Sequence, residues 1–344
     1  MNKNELDFAN LGFGYIKTDA NIRCYFKNGK WGKVEVSDKE TVDLHIAATC
    51  LHYGQNCFEG LKVFQMKNGE IAAFRPEENY KRMKKSAEKL YMAAVSEDVF
   101  FESLNKVVKL NKRFIPPYGS NASLYIRPFL LGVSAHIGVK PSEDYLFMML
   151  ATPVGPYFKS GFNPVKMLVV EDLDRAAPFG IGDIKAAGNY AAGLRGSIRA
   201  KEKGFTDVIY LDTVHRKYID ESGPANFIAF LKDGTYVTSQ SSSILQSITN
   251  MSLQDIAKKD FGWKVEHRPL SIDEMNNFSE AGCCGTAAVI TPVGTIQYKN
   301  KDYHFFDDGK TAGPYITKLY NQLRGIQLGE IEDKYNWNYK IKVD

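Results

Sequence analysis

The sequence predicts a mixed α+β protein of two domains: a smaller α+β domain over residues 1–154 and a larger, barrel-like domain over 166–344, joined by a linker at 155–165. Three observations predict it. At 344 residues the chain suits two cores of the usual ~100 to 200 residues each. The stretch "PVGPYFKSGFNPVK" concentrates Pro and Gly between two strand-like runs, as interdomain connections do. The texture also changes across it, from strands mixed with amphipathic helices to short strands bounded by turn signals, which favours a barrel-like or mixed sheet over a doubly wound one.

In the first half, the turn "KNGE" (Lys67 to Glu70) leads into a strand "IAAF". Apolar residues at helical spacing predict helices over about 77–91 and 97–112. In the first of these Met83, Ala87 and Leu90 share a face, so the basic run "YKRMKK" reads as its solvated side. Strands "SLYIRPFLLGV" and "YLFMMLATPVG" follow. Beyond the linker, "KMLVVED", "DVIYLD", "NFIAFLKDGTYVTS" with a hairpin at Asp233-Gly234, "KVEHRPL" and "AAVITPVGTI" read as strands with a few helices between them. No period of 20 to 50 residues indicates a repeat architecture.

Composition removes several classes of function. With 44% hydrophobic, 24% charged and 12% aromatic residues the chain is close to globular averages. A net charge of +4, with both signs mixed throughout, gives no footprint for nucleic acid or an anionic membrane. The five cysteines, Cys24, Cys50, Cys57, Cys283 and Cys284, contain no C-x-x-C, so free thiols are expected rather than disulfides or a metal site. The N-terminus "MNKNELDFANLGFG" has no apolar core of a leader, and no apolar run approaches ~18 residues, so a cytoplasmic protein is expected.

The chemically informative stretch is "FGIGDIKAAGNY". A phosphate-binding P-loop needs G-x-x-x-x-G-K-[ST], whereas Ala186 follows Lys185. A dinucleotide fingerprint would place Lys185 where close packing requires a third glycine. Two readings remain: a surface lysine ahead of a helix starting near Asn189, or a Schiff-base lysine given room to swing by Ala186, Ala187 and Gly188.

Further segments decide between them. "LHYGQNCFEGLKVF", "FRPEENYKRM", "SLYIRP", "GIGDIKAAGNY", "DESGPANF", "SSSILQSITNMSL" and "GCCGTAAVITPV" occur in the order and spacing of branched-chain amino acid aminotransferases, and the chain resembles that family from about Phe13 to near its C-terminus. The resemblance implies a pyridoxal 5'-phosphate enzyme of fold type IV. It further implies a homodimer that moves the amino group between L-leucine, L-isoleucine or L-valine and 2-oxoglutarate, with L-glutamate and the branched 2-oxo acids as the other small-molecule partners.

By the same resemblance Lys185 holds the cofactor covalently and, once displaced by substrate, shuttles the proton. Glu221 matches the acid that keeps the cofactor's ring nitrogen protonated, while Asp220 beside it is expected on the opposite strand face. Arg82, the N–H groups of Ile248 and Thr249 at a helix start, and Thr286 match the phosphate ligands. Tyr190 matches the donor to the phenolic oxygen. Phe13, Tyr53, Phe58, Tyr125 and Tyr157 would form an aromatic substrate wall, Arg127 would pair with the distal carboxylate of glutamate, and Thr286 with Ala287 would hold the α-carboxylate.

The chain departs from the family in three places. Vertebrate members carry a C-x-x-C where this chain has Ala288 and Thr291, so no thiol switch is expected there. Pro224 replaces a pocket threonine, removing a hydroxyl and an N–H. Gln246 replaces a frequent proline ahead of the phosphate helix. Other fold type IV enzymes, a D-amino acid aminotransferase or an aminodeoxychorismate lyase, would keep Lys185, Glu221 and the phosphate ligands and change the substrate face. A non-catalytic descendant would be expected to lose one of those groups.

Overall fold

A computed structural model describes residues 6–157 and 161–343. By its contacts the chain forms two compact units: Met1–Tyr157 with Ile184–Ala187 and Ile326–Asp344, and Phe158–Asp183 with Gly188–Gly325. Two returns to the first unit, by a loop and by the C-terminal segment, are absent from a reading of the chain as consecutive blocks. The expected linker at 155–165 covers the first passage between units, and its residues 158–160 lie outside the described residues.

The first unit is an antiparallel sheet covered by two helices. Its elements are β1 (Asn21–Lys27), β2 (Lys30–Trp31), β3 (Glu35–Ser37), α1 (Thr49–His52), β4 (Asn56–Phe58), β5 (Leu61–Gln65), β6 (Ile71–Phe74), α2 (Pro76–Lys89), α3 (Glu97–Leu110), β7 (Ser123–Gly132) and β8 (Tyr145–Val154). β7 and β8 pair from Ser123↔Val154 to Gly132↔Tyr145 and form the centre of the sheet. The α2 helix starts with Pro76 in its first turn followed by Glu77 and Glu78, and α3 is capped by Ser96, both favourable N-termini. Their apolar faces, Met83 and Ala87 on α2 and Phe100, Leu104, Val107 and Val108 on α3, bury against Ile22, Val63, Leu124, Ile126 and Phe147 of the sheet. The lysines Lys84 and Lys85 are exposed, as the spacing predicts.

The second unit is a closed barrel with additional strands. Its elements are β9 (Val165–Val170), α4 (Ala187–Glu202), β10 (Asp207–Leu211), β11 (Ile219–Ser222), β12 (Ala225–Leu231), β13 (Tyr236–Ser239), α5 (Ile248–Lys259), β14 (Val265–Arg268), β15 (Phe278–Gly285), β16 (Val289–Tyr298), β17 (Lys301–His304) and α6 (Pro314–Leu328). β11, β10, β9, β16, β15 and β12 form a ring in that order, closed by the β11–β12 pairing, while β13 adds to β12 and β17 to β16. Alternate residues fill the interior: Val165, Met167 and Val169 from β9, Ile209 and Leu211 from β10, Phe227 and Ala229 from β12, Ala281 and Cys283 from β15. Cys284 stays outside this cluster, as neighbours on a strand should.

The last strand, β18 (Asn338–Lys340), differs from the expected division. It pairs with β6 and Ile341 N–H bonds to Ile71 O, so the C-terminal segment completes the first unit's sheet edge. All five cysteines are free and buried. Among the described residues no helix is long and apolar enough to cross a membrane, and no cluster of His, Cys, Asp and Glu could hold a metal ion.

Candidate active site

In the first unit, Lys185 is anchored through its backbone. Its N–H donates to Ser86 Oγ at 3.1 Å, and its carbonyl accepts from Phe58 N–H at 3.1 Å. Ala186 extends this as an antiparallel bridge to Cys57. Ser86 Oγ in turn donates to the carbonyl of Arg82, one turn earlier on α2, at 2.8 Å. The lysine is half-buried and its amine lies 4.9 Å from the centre of the Phe58 ring. A surface lysine ahead of a helix would have none of these ties, and α4 begins at Ala187, two residues earlier than the spacing suggests.

Arg82 faces a buried acid that the sequence reading did not single out. Glu59, between β4 and β5, has a fully buried side chain, and the Arg82 side chain is 11% exposed. Arg82 Nε meets Glu59 Oε1 at 2.7 Å and Nη2 meets Oε2 at 2.9 Å, a two-pronged pair. Oε2 also accepts from Asn79 Nδ2 at 2.7 Å and from Gly60 N–H at 3.1 Å. Burial raises the Glu59 pKa, but the charge and hydrogen bonds of Arg82, with Lys185 and Asn79, outweigh it and hold the carboxyl below its ordinary value. The signal available in sequence was the "FEG" of the quoted motif.

The aromatic residues gather around Arg127. Its guanidinium lies 4.7 Å from the Phe58 ring centre and 5.2 Å from that of Tyr125, and Nη2 donates to Tyr125 Oη at 2.9 Å. Its buried Nε has no hydrogen-bond partner among the described residues. Phe13 packs edge-on against Tyr125 at 5.3 Å and Tyr157 at 5.2 Å. Gly60 makes this possible, since a Cβ there would collide with Tyr125 Oη. Tyr53 makes its contacts elsewhere: 39% exposed, its hydroxyl donates to Ile137 O and its ring lies beside His52.

In the second unit, Glu221 is buried on β11. Its Oε1 accepts from Leu245 N–H at 2.9 Å and Asn226 Nδ2 at 3.2 Å, and its Oε2 lies 3.2 Å from Arg175 Nε. Arg175, buried and not identified from the sequence, also lies 3.5 Å from Asp220 Oδ2 and donates to Ser243 O. Strand alternation was expected to separate the two acids, yet one guanidinium reaches both. β11 has only four residues and its register with β10 is irregular. Ser243 Oγ completes Asp220's environment at 2.8 Å.

Asn226 connects Glu221 to the start of α5. Its Oδ1 accepts from Ser247 N–H at 3.2 Å and Asn250 Nδ2 at 3.3 Å. Ser247 caps α5 through Asn250 N–H, and the helix begins at Ile248. The N–H groups of Ile248 and Thr249 are thus first-turn donors, outside the helix's own hydrogen bonds and at its positive end. Thr286 and Ala287 form the turn between β15 and β16, and Tyr190 lies in the first turn of α4. Pro224 causes less disruption than its chemistry suggests. With Gly223 at φ +54° it forms the two-residue turn between the paired residues Ser222 and Ala225, where no ladder N–H is required. Gln246 is exposed just before the cap.

Taken unit by unit, the chemistry of these groups fits pyridoxal phosphate: the first unit offers an amine on an anchored backbone and an arginine, the second a buried carboxylate and a helix N-terminus suited to an anion.

Comparison with known proteins agrees. The family model "Amino-transferase class IV" matches residues 56–296. The branched-chain-amino-acid aminotransferase of Haemophilus influenzae is 45% identical over 98% of this chain and 99% of its own. The Escherichia coli branched-chain amino acid aminotransferase structure superposes with a TM-score of 0.80 at 28% identity, covering 95% of this chain and 100% of that one. A T.th. branched-chain amino acid aminotransferase complexed with N-(5'-phosphopyridoxyl)-L-glutamate gives a TM-score of 0.76 at 25% identity over 94% of this chain and 99% of that one. The chain therefore belongs to the class IV aminotransferases and, within them, to the branched-chain amino acid aminotransferase family.

Proposed function

We propose that the protein is a pyridoxal phosphate-dependent aminotransferase that exchanges the amino group between L-leucine, L-isoleucine or L-valine and 2-oxoglutarate. Relatives named branched-chain-amino-acid aminotransferase match it over nearly the whole chain, and one related structure carries a phosphopyridoxyl adduct of glutamate. The observation that carries the reading is Lys185, pinned at both backbone groups by Ser86 and Phe58 with its side chain against the Phe58 ring.

When bound, the cofactor supplies an electron sink. Lys185 holds it and then serves as the base that moves the proton from the substrate's Cα. A backbone fixed on both sides confines the amine's motion to the side chain, which keeps the base within reach of one atom. Glu221, buried and hydrogen-bonded, offers a charged acceptor to the ring nitrogen. Tyr190 donates to the phenolic oxygen. Arg82, Ile248 N–H, Thr249 N–H and Thr286 hold the phosphate.

Phe13, Phe58, Tyr125 and Tyr157, which gather at Arg127, form the substrate's aromatic surroundings. Thr286 and Ala287 bind the α-carboxylate, and Arg127 takes the distal carboxylate of glutamate. Its Nε, buried and unsatisfied among the described residues, is the donor that such a carboxylate would meet. A homodimer in the cytoplasm completes the proposal. Exposed aliphatics on the first unit support association: Ile46 and Leu51 on one segment, and Ile137 and Val139 on the loop that pairs with it through Ala48↔Ala135. Analytical ultracentrifugation checks the dimer.

The test is spectroscopic. Loading with pyridoxal phosphate should give a visible band that L-leucine and L-glutamate each convert to the pyridoxamine form, with D-alanine inert. A band that persists with both L-amino acids, or conversion by D-alanine alone, would reject the assignment. Lys185→Ala should lose covalent capture of the cofactor, read by borohydride reduction and mass spectrometry.

A further inference from the structure

Glu59 has no place in the chemistry above, yet it is the most completely buried carboxylate touching a proposed cofactor ligand. An isolated ionised carboxylate in such a place is costly, and its pairing with Arg82 offsets this only when geometry and further hydrogen bonds are good. Both conditions are met: the paired contacts to Arg82 are 2.7 and 2.9 Å, and Asn79 Nδ2 and Gly60 N–H complete Oε2. Asn79, Arg82 and Ser86 lie three to four residues apart on α2, so one helix face carries the whole arrangement.

The direction of the pairing matters. Glu59 takes the Nε–Nη2 edge of the guanidinium, which fixes its plane and turns the Nη1–Nη2 edge in a set direction. An arginine is otherwise free to sample many rotamers, which an anion must freeze on binding. Resting on the reading of Arg82 as the phosphate ligand, we propose that Glu59 is a positioning residue that pre-orients Arg82 for the cofactor's phosphate. It touches neither substrate nor cofactor. A carboxylate near a phosphate also repels it, but here its charge is already compensated by the arginine it holds, so the loss of orientation outweighs the relief of repulsion when the acid is removed.

The experiment compares dissociation constants of pyridoxal phosphate and of pyridoxal, which lacks the phosphate, for the full chain freed of cofactor. Glu59→Gln presents one acceptor and one donor to the arginine and should weaken pyridoxal phosphate about tenfold while leaving pyridoxal unchanged, the loss of a charged hydrogen bond's worth of orientation. Glu59→Asp keeps the charge in its cavity, and with it the fold, but is one methylene too short to keep both contacts. It should show the same phosphate-specific loss. In an Arg82→Gln background neither substitution should add to the loss. Unchanged pyridoxal phosphate affinity in both variants, or parallel losses for both ligands, overturns the proposal. If Arg82→Gln alone keeps the full advantage of pyridoxal phosphate over pyridoxal, the reading of Arg82 fails and this inference goes with it.

Discussion

Arg175 Nε lies 3.2 Å from Glu221 Oε2, and the same guanidinium reaches Asp220, so one buried arginine balances two buried acids. Removing it strands both charges. Arg175→Gln is therefore expected to cost about 3–5 kcal/mol of stability, the usual result of breaking a buried ion pair from one side. Urea unfolding of the cofactor-free protein measures this. A loss under about 1 kcal/mol would mean that the acids find other partners.

Arg127 should matter to one substrate class more than the other. Arg127→Gln is expected to raise KM for 2-oxoglutarate by about a hundredfold, consistent with about 3 kcal/mol for a lost charged pair, and to change KM for leucine little. Gly60→Ala should act along the same line, because its Cβ displaces Tyr125 Oη, which accepts from Arg127. Steady-state kinetics with each amino donor and acceptor separates the effects. Equal losses for both substrates would show that these residues serve the pocket generally.

Buried acids shifted in opposite directions shape the pH dependence of stability. Burial raises Asp207 and Glu280 above their ordinary values of 3.8 and 4.5, partly offset by hydrogen bonds from Ser197 and Val208 N–H to the first and from Ile316 and Tyr315 N–H to the second. An acid raised on folding binds its proton more tightly in the native state, so its contribution is complete below the unfolded pKa and is lost as pH rises through the folded one. Glu59, lowered, contributes above its unfolded pKa and loses that contribution as pH falls. Unfolding midpoints followed upward from about pH 4 should decline less steeply in Asp207→Asn and Glu280→Gln than in the wild type. Parallel curves would assign the decline to other groups.

The thiols should be inert. Burial pushes Cys24 up to about 11 and Cys57 and Cys283 up to about 12, and raises Cys50 and Cys284 as well. Iodoacetamide at neutral pH should label none of the five within the time that labels all of them in urea, and mild peroxide should leave turnover unchanged. Rapid labelling of Cys283 or Cys284 in the native protein would contradict this.

Much of the fold was legible because it rests on local patterns. The faces of α2 and α3, the long apolar strands β7 and β8, the Asp233-Gly234 hairpin and the start of α5 after Ser247 all follow from periodicity, turn residues and capping. Several strands escaped, and two of them show different reasons. β1 ends at an Asn28-Gly29 turn whose positive φ angles mark a hairpin, a signal present in "KNGK" and not used. β15, "FSEAGCCG", is a central barrel strand of small residues, and its place depends on pairing with β12 and β16 rather than on any alternation of its own.

The candidate site divides in the same way. Lys185, Glu221, Arg82 and the α5 start are tied to short segments whose residue types the chemistry demands, so the sequence alone identified them as a family pattern. Glu59, Arg175 and Asn226 were not legible, because the role of a buried charged or amide group is recognisable only through its partner, and those partners lie 23, 46 and 24 residues away in Arg82, Glu221 and Asn250. By itself the sequence determined the family pattern and many of the local elements that carry its motifs. Only the tertiary structure decided how the candidate residues are held: the C-terminal strand returning to β6, the loop at Lys185 pinned to Ser86 and Phe58, and the ion pairs that join Arg82 to Glu59 and Arg175 to Asp220 and Glu221. Local propensity acts between neighbours in the chain, whereas compensating a buried charge requires groups that only the folded backbone brings together.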